Sequence, residues 1–493
     1  MPSHRITSII AMEGQMPGQH QDAAGGPPAA CDILVRNGYV VSMDVERRIF
    51  APGAIAVSGR HIAAVGPERE ILQRWRAKRT FDAAGATVHP GFIDAHNHIV
   101  HGTCRGVFAD TARSGQLQVS FADWKADVTA EDEYAAAMLA GLEMLRNGFT
   151  MLIEPGSVFE PDAVAEAATL VGVRTLLAGC YLWDQVEVMR HLGGLESPKL
   201  YDRAPPQLER CLDELGGQLH RNRDPEALAR GFVAVYGLGT ASDALLEAAK
   251  ALADDTGVAF HQHEGYYPAA SEADRARLGR SRILHLQELG VLGTNATLVH
   301  MAVMDEEEVA PIEESGTSIV WCPLAFQKTG VSGDVRCRHP ELYRQGITVA
   351  LGTDGALECT IGDAASSAFH LAASTRTPVT PAMLLEMQTV NAARAAALSD
   401  MVGSLEPGKR ADLVIRSAAA AETGPGVNPV HQLALTSRAG TVDTVIVNGD
   451  VVFHGGRSTR LDEAEVHAEA KRSVERRVAR LGLSTSLVWP VIG

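Results

Sequence analysis

The amino-acid sequence predicts an α/β chain, a (β/α)8 barrel of the TIM type carrying a small β-sandwich built from its N- and C-terminal segments. Three observations lead there. Eight short β-branched runs alternate with amphipathic helical stretches through the middle of the chain, hairpin-like alternation recurs near both ends, and 493 residues suit one barrel plus an accessory module.

Residues 1–30, rich in Gly, Pro, Gln and Ala, read as a flexible extension. From Asp32, DILVRNGYVVSMD and then GAIAVSGRHIAAVG alternate apolar and polar residues around NG and SG turns, as hairpin strands do. ADLVIRSA and VDTVIVNGDVVFHGG repeat the pattern near the other end, so 31–86 and 405–493 are expected to join in one sandwich with a C-terminal helix. The span 87–404 is expected to hold the barrel. Its strands are read at 86–98, 149–155, 173–181, 232–239, 258–264, 296–302, 317–324 and 347–355. Spacers such as EDEYAAAMLAGLEMLRNG, DALLEAAKALADDTG and DEEEVAPIEESG end at glycine, the residue that caps helix C-termini.

The bulk numbers exclude several classes of function. Hydrophobic residues make up 46% and charged residues 21% of the chain, an ordinary globular composition. Lys and Arg number 44 against 60 Asp and Glu, a net charge of −16 that argues against nucleic acid as a partner. Seven cysteines without a CxxC pair suit reduced thiols. No run approaches the ~18 apolar residues of a membrane span and the N-terminus lacks an export signal, so a cytoplasmic chain with no membrane partner is expected.

The chemistry lies at the ends of the expected strands, where a barrel keeps its active site. His96 and His98 stand two apart in FIDAHNH, and side chains of a strand alternate, so both face the barrel interior. FHQHE adds His261, His263 and Glu264, LVHM adds His300, and LGTDG adds Asp354 between Gly352 and Gly355. Three imidazoles and a carboxylate suit Zn2+ and tolerate Fe2+ or Mn2+, and one further position left to water makes such a site catalytic. His261 and His263 share a face, and on strand geometry either reaches the metal. Nothing fixes the direction of His101, which reads as a loop histidine. Glu154, after the second run, is an extra ligand or, more economically, a carboxylate that binds polar substrate or caps the next helix. Gln116, Trp183, Tyr236, His263 and Trp321, with Tyr181, Tyr266 and Phe326, are candidates to line the pocket. Each aromatic alone fits barrel packing equally well.

PGFIDAHNH followed by RG, HxxE, a lone His, GTDG and finally GSLEPGKRADLVI resembles the amidohydrolase superfamily over nearly the whole chain. Within it the chain is similar to the group of cytosine, guanine and S-adenosylhomocysteine deaminases and triazine hydrolases. The resemblance implies that His96, His98, His261 and Asp354 hold the metal, and that Glu264 and His300 form a second catalytic layer. The family places its catalytic Glu three residues after the ligand, which selects His261 and leaves His263 as a pocket group. Binuclear relatives bridge two metals with a lysine on the fourth strand; FVAVYGLGT has none, so one metal per chain is implied.

The implied reaction is that of an aminohydrolase, in which metal-activated hydroxide replaces an amino group on a nitrogen heterocycle and ammonia leaves. Hydrolysis of an amide, or of an N-alkyl or chloro-triazine, at the same site is the alternative, and a non-catalytic scaffold a remote one. A homo-oligomer, dimer or higher, is also implied. The seventh strand departs from the HCPxSN of many relatives, reading Trp321-Cys322-Pro323-Leu324-Ala325-Phe326, and GLGTASD replaces a Pro-His pair on the fourth. These departures point toward a flat ring of pterin, purine, pyrimidine or triazine type rather than an adenosine-type substrate.

Overall fold

Strand formation begins where the Gly- and Pro-rich start gives way to β-branched alternation. The computed structural model describes residues 27–108, 121–190, 192, 195–331, 337–355, 359–483, 489 and 492. Strands β1 (Ala29–Val41), β2 (Ile49–Ser58), β3 (His61–Pro67), β4 (Trp75–Asp82) and β5 (Thr87–Pro90) open the chain, so the first strand takes in two residues expected to be flexible. Short strands follow: β6 (Phe92–Asp94), β7 (Phe149–Ile153), β8 (Arg174–Leu177), β9 (Ala229–Gly231), β10 (Val233–Gly237), β11 (Phe260–Glu264), β12 (Ala296–His300), β13 (Ser318–Trp321) and β14 (Val349–Leu351). The last are β15 (Leu413–Arg416), β16 (Val442–Val447), β17 (Asp450–His454) and β18 (Arg457–Ser458).

Strands β6 to β9 pair in parallel in chain order, and so do β10 to β14, giving the mixed α/β content that the alternation implied. Between the two sheets only Phe232 intervenes; its N–H donates to Leu177 in β8 and the next N–H, of Val233, to Ala259. On the other side Ala95 N–H donates to the Leu351 carbonyl at 3.0 Å and Asp354 N–H to the His96 carbonyl at 2.9 Å. The ends of β6 and β14 are thereby tied side by side, with His96 and Asp354 at the tie.

The terminal strands form one sheet in the order β18-β17-β16-β15-β5-β1-β2-β3, with β4 on β1. Its two ends share a core that includes Val35, Ile55, Val88, Leu413 and Ile446. The run 86–98 is thus two strands: β5 belongs to the terminal sheet and β6 to the parallel one. The break falls at Gly91, where a Cβ would run into the Thr150 side chain. The helices end as their sequences foretold, with left-handed Gly148 (φ 82), Gly257 (φ 67) and Gly316 (φ 72) closing the three spacers. The C-terminal helix Glu463–Leu481 starts at Asp462, whose carboxylate accepts from two backbone N–H groups. No helix among the described residues is long and apolar enough to cross a membrane.

Candidate metal centre

Three of the parallel strands and the turns beyond them deliver a cluster of imidazoles. Asp94 shares the alternation phase of His96 and His98. Its buried carboxylate accepts from Thr353 N–H at 2.9 Å and Asn97 Nδ2 at 3.1 Å, locking the turn after β6 to the turn after β14. Burial pushes Asp94 up to about 6 against those bonds. His300 ends β12 at φ 84 and Asp354 lies beyond β14 at φ 63, both in left-handed backbone that aims their side chains inward.

The coordinating atoms of His96, His263 and His300 lie within 4.8 Å of one another, and so do those of His96, His98 and Asp354. His98 Nε2 is 3.4 Å and His96 Nε2 3.9 Å from Asp354 Oδ1. All four rings are buried. Burial first, then the neighbouring imidazoles, holds His96, His98 and His300 well below the ordinary histidine range; burial also brings His263 down to about 4. They are neutral imidazoles.

Among the described residues His96 has no hydrogen-bond partner on either ring nitrogen, and His300 none on Nδ1. An unsatisfied buried group costs about 1–3 kcal/mol, which a divalent metal at this point would remove. Two rings present a free Nε2 by tautomer: His263 Nδ1 donates to the Tyr236 carbonyl at 2.6 Å, and His98 Nδ1 lies 2.9 Å from Ser157 Oγ. The residues therefore fit a metal. Asp354 is pushed up to about 6 by burial, opposed by the Gly355 N–H and by Lys328 and Lys125.

The two histidines of β11 lie at different places. His261, expected as the ligand, lies one layer deeper, with Nε2 2.8 Å from the Ala395 carbonyl, and His263 takes the place in the cluster. The two share a face but stand roughly 6–7 Å apart along a strand. Glu264, expected as the acid, follows His263 directly and so turns to the opposite face. There it lines a separate cavity of about 170 Å³ with Leu238, Asp274, Arg282 and Met301, and burial raises it to about 8. Three residues beyond His263 stands Tyr266 instead, its ring stacked on His300 at 4.1 Å.

The pocket candidates divide. Tyr236 lies 4.8 Å from the His263 ring. Trp183 packs behind Tyr236 with Nε1 donated to Ala204, and Trp321 stacks on His339, which donates to the His300 carbonyl; both are fully buried and one step removed from the cluster. Glu154 is in neither group of clustered ligand atoms and makes no cap bond to the next helix; it accepts from Gly156 N–H and from Ser157 N–H and Oγ. Gln116 lies outside the described residues.

Other groups escaped the sequence reading. His101, taken for a loop residue, is carried back by the 3-10 turn Ile99–Cys104 to stack on His98 at 4.7 Å. Asp94 carried a usable signal in its alternation phase. Ser157 and Lys125 carried none; Lys125 is buried on the helix Phe121–Ala126, and burial lowers its amine to about 8.

The description of the amidohydrolase family matches residues 87–452. A 5-methylthioadenosine/S-adenosylhomocysteine deaminase of Syntrophobacter fumaroxidans is 31% identical over 441 residues, covering 88% of this chain and 96% of that protein. Among solved structures, an adenosine deaminase from Xanthomonas campestris with bound zinc superposes with a TM-score of 0.79 at 28% identity, over 92% of this chain and 100% of its own. An atrazine chlorohydrolase from Arthrobacter aurescens complexed with zinc superposes with a TM-score of 0.74 at 22% identity, over 90% and 100% respectively, and shares the fold.

Proposed function

This chain belongs to the amidohydrolase family, and from that premise we propose that it is a mononuclear zinc enzyme removing an exocyclic amino group, as ammonia, from an aminopurine or a ring of similar shape. It is a hydrolase of C–N bonds other than peptide bonds, of the cyclic-amidine deaminase type. The observation that carries the metal reading is His96, buried among three further neutral imidazoles and a carboxylate with neither ring nitrogen partnered.

In this reading His96, His98, His263 and Asp354 hold one zinc, with iron or manganese as substitutes, and His300 stands beside them. Bound there, zinc supplies the Lewis acidity that makes water a competent nucleophile near neutral pH. Asp354, its carboxyl raised to about 6, accepts the proton of the attacking water and passes it to the departing amine. His300 orients that water, its own backbone fixed by the bond from His339 Nε2 at 2.6 Å. Tyr236 beside His263 and Tyr266 beside His300 offer aromatic faces for a planar ring. Glu264 takes no part.

The same reading closes the parallel strands into a (β/α)8 barrel through the bonds between the ends of β6 and β14, supported by the Asn97–Asp354 bridge. It folds the terminal sheet over its shared core into the small sandwich. It also makes the protein a cytoplasmic homo-oligomer, which sizing of the purified chain tests.

The substrate class rests on the two deaminases that the chain resembles, one of 5-methylthioadenosine and S-adenosylhomocysteine and one of adenosine. Ammonia release from adenosine, 5-methylthioadenosine, S-adenosylhomocysteine, guanine, pterin, cytosine and aminotriazines is the test. Release from at least one aminopurine is expected. Turnover confined to amides or to N-alkyl and chloro-triazines would move the enzyme to the other reaction of its fold.

A further inference from the structure

Beyond β7 the chain bends through Glu154-Pro155-Gly156-Ser157, and Glu154 N–H donates to the Leu176 carbonyl of β8 at 3.0 Å. Glu154 is fully buried at the turn's start, and its carboxylate is met only by donors: Gly156 N–H at 2.8 Å, Ser157 N–H at 3.0 Å and the Ser157 hydroxyl. Gly156 sits at φ 93, where a Cβ would strike the Gly179 carbonyl, so the turn is specific to this sequence. Its far side is held by a second buried carboxylate, Glu133, which accepts from Phe159 N–H at 2.9 Å and Glu160 N–H at 2.6 Å.

Burial raises Glu154 to about 7 against its donors, and while it is ionised the bond to it uses the only proton of the Ser157 hydroxyl. Ser157 Oγ therefore faces His98 Nδ1, 2.9 Å away, as an acceptor, and His98 must carry its proton on Nδ1. Its Nε2 is then a bare lone pair, directed at the side on which Asp354 Oδ1 lies 3.4 Å off. His263 is oriented in the same way, but by the Tyr236 backbone carbonyl, which no substitution removes. Among the proposed ligands, His98 is thus the one whose far nitrogen is held by a replaceable side chain.

We propose that Ser157 is a positioning residue for the metal, a hydroxyl that links the Glu154 carboxylate to His98 and holds that ring in the tautomer that coordinates. The inference rests on His98 being a ligand. Without the hydroxyl the ring is free to carry its proton on Nε2, which binding must then displace, and to rotate about its side-chain torsions. Groups of this kind typically contribute ~10–100-fold to metal affinity.

The test is zinc affinity of the full chain, measured by competition with a chelator, for wild type, Ser157→Ala, Ser157→Thr, His98→Ala and the double variant Ser157→Ala/His98→Ala. Ser157→Ala is expected to weaken zinc by ~10–100-fold, and Ser157→Thr, which keeps the hydroxyl, to recover most of the loss. In the His98→Ala background the alanine at 157 should change nothing, a result that a merely structural role would not give. Nitrogen-15 spectra of the histidines should show apo His98 moving from the Nδ1–H to a mixed tautomer in Ser157→Ala. Should Ser157→Ala fail to fold, Glu154→Gln keeps the hydroxyl and the shape but not the carboxylate, and is expected to weaken zinc as well. Ser157→Ala, or Glu154→Gln in its place, binding zinc as tightly as wild type would overturn the proposal. A wild-type chain that takes up no divalent metal would instead overturn the metal reading beneath it.

Discussion

Arg174 in β8 and His96 after β6 are both buried, but Arg174 gives hydrogen bonds to Asp412 at 2.6 and 3.0 Å and to Asn448 at 2.9 Å, whereas both nitrogens of His96 have none. The contrast extends to their surroundings. Where the parallel strands meet the terminal sheet, Arg416 bonds His89 and Thr441, and Glu226 accepts from Arg410 and Arg60. At the opposite ends of the same strands, among the described residues, both ring nitrogens of His96 and Nδ1 of His300 lack partners, and Asp354 and Asp94 are pushed up by burial. Burial alone therefore says little about role. Paired charges fasten one module to the other, whereas neutral imidazoles left without partners mark the candidate metal site.

The largest effect expected from this contrast lies at the cluster. Asp354→Asn keeps the shape but cannot accept a proton, so kcat/KM of the metal-loaded variant should fall by ~10²–10⁴-fold or more at every pH. Its melting profile should stay near that of wild type. Retention of more than about a tenth of kcat/KM, a loss under about 1.4 kcal/mol, would mean that the proton travels by another group.

Next comes the junction, where the roles reverse. Arg174→Ala leaves Asp412 buried without its partner and should cost about 3–5 kcal/mol of stability. The protein that remains folded should bind metal and turn over normally. A variant with unchanged melting temperature, or one that folds stably but loses metal, would blur the division between the two regions.

The smallest effect is that of Glu226, which Arg410 and then Arg60 hold down at about 2, below its ordinary 4.5. Because the folded form has the lower pKa, the pair's contribution is complete above about pH 4.5 and is lost as pH falls toward 2. Its partner Arg60 is half exposed, so solvent screening limits the gain to no more than about 1 kcal/mol. Glu226→Gln should therefore flatten the acid limb of the stability profile slightly while leaving stability at pH 7 within that margin. An unchanged acid limb would show the pair to be silent.

Much of this was legible in the residues themselves. Alternation placed His96 and His98 on one face, and terminal glycines marked the helix ends that the structure keeps at Gly148, Gly257 and Gly316. What escaped depends on quantities that spacing does not contain. Whether His261 or His263 reaches the cluster is set by register, with His263 opposite Gly237 and Val299, and register is a property of neighbouring strands. Glu264 differs: in a regular strand its odd spacing from His261 puts it on the other face, so strand alternation and the HxxE spacing of the family point in different directions. His101 and Ser157 reach His98 through a 3-10 turn and a loop, neither of which has a periodic signature. The run 86–98 hid two strands because Gly91, not a recognisable turn, divides them.

The account stands on the cluster of imidazoles and Asp354 being a single metal site with His263 rather than His261 in it. Elemental analysis of the purified full chain, of His263→Ala and of His261→Ala after reconstitution with zinc tests this directly. One zinc per chain is predicted for wild type and for His261→Ala, with most of it lost from His263→Ala. Zinc retained by His263→Ala and lost from His261→Ala, or two zinc ions held tightly by wild type, would contradict it.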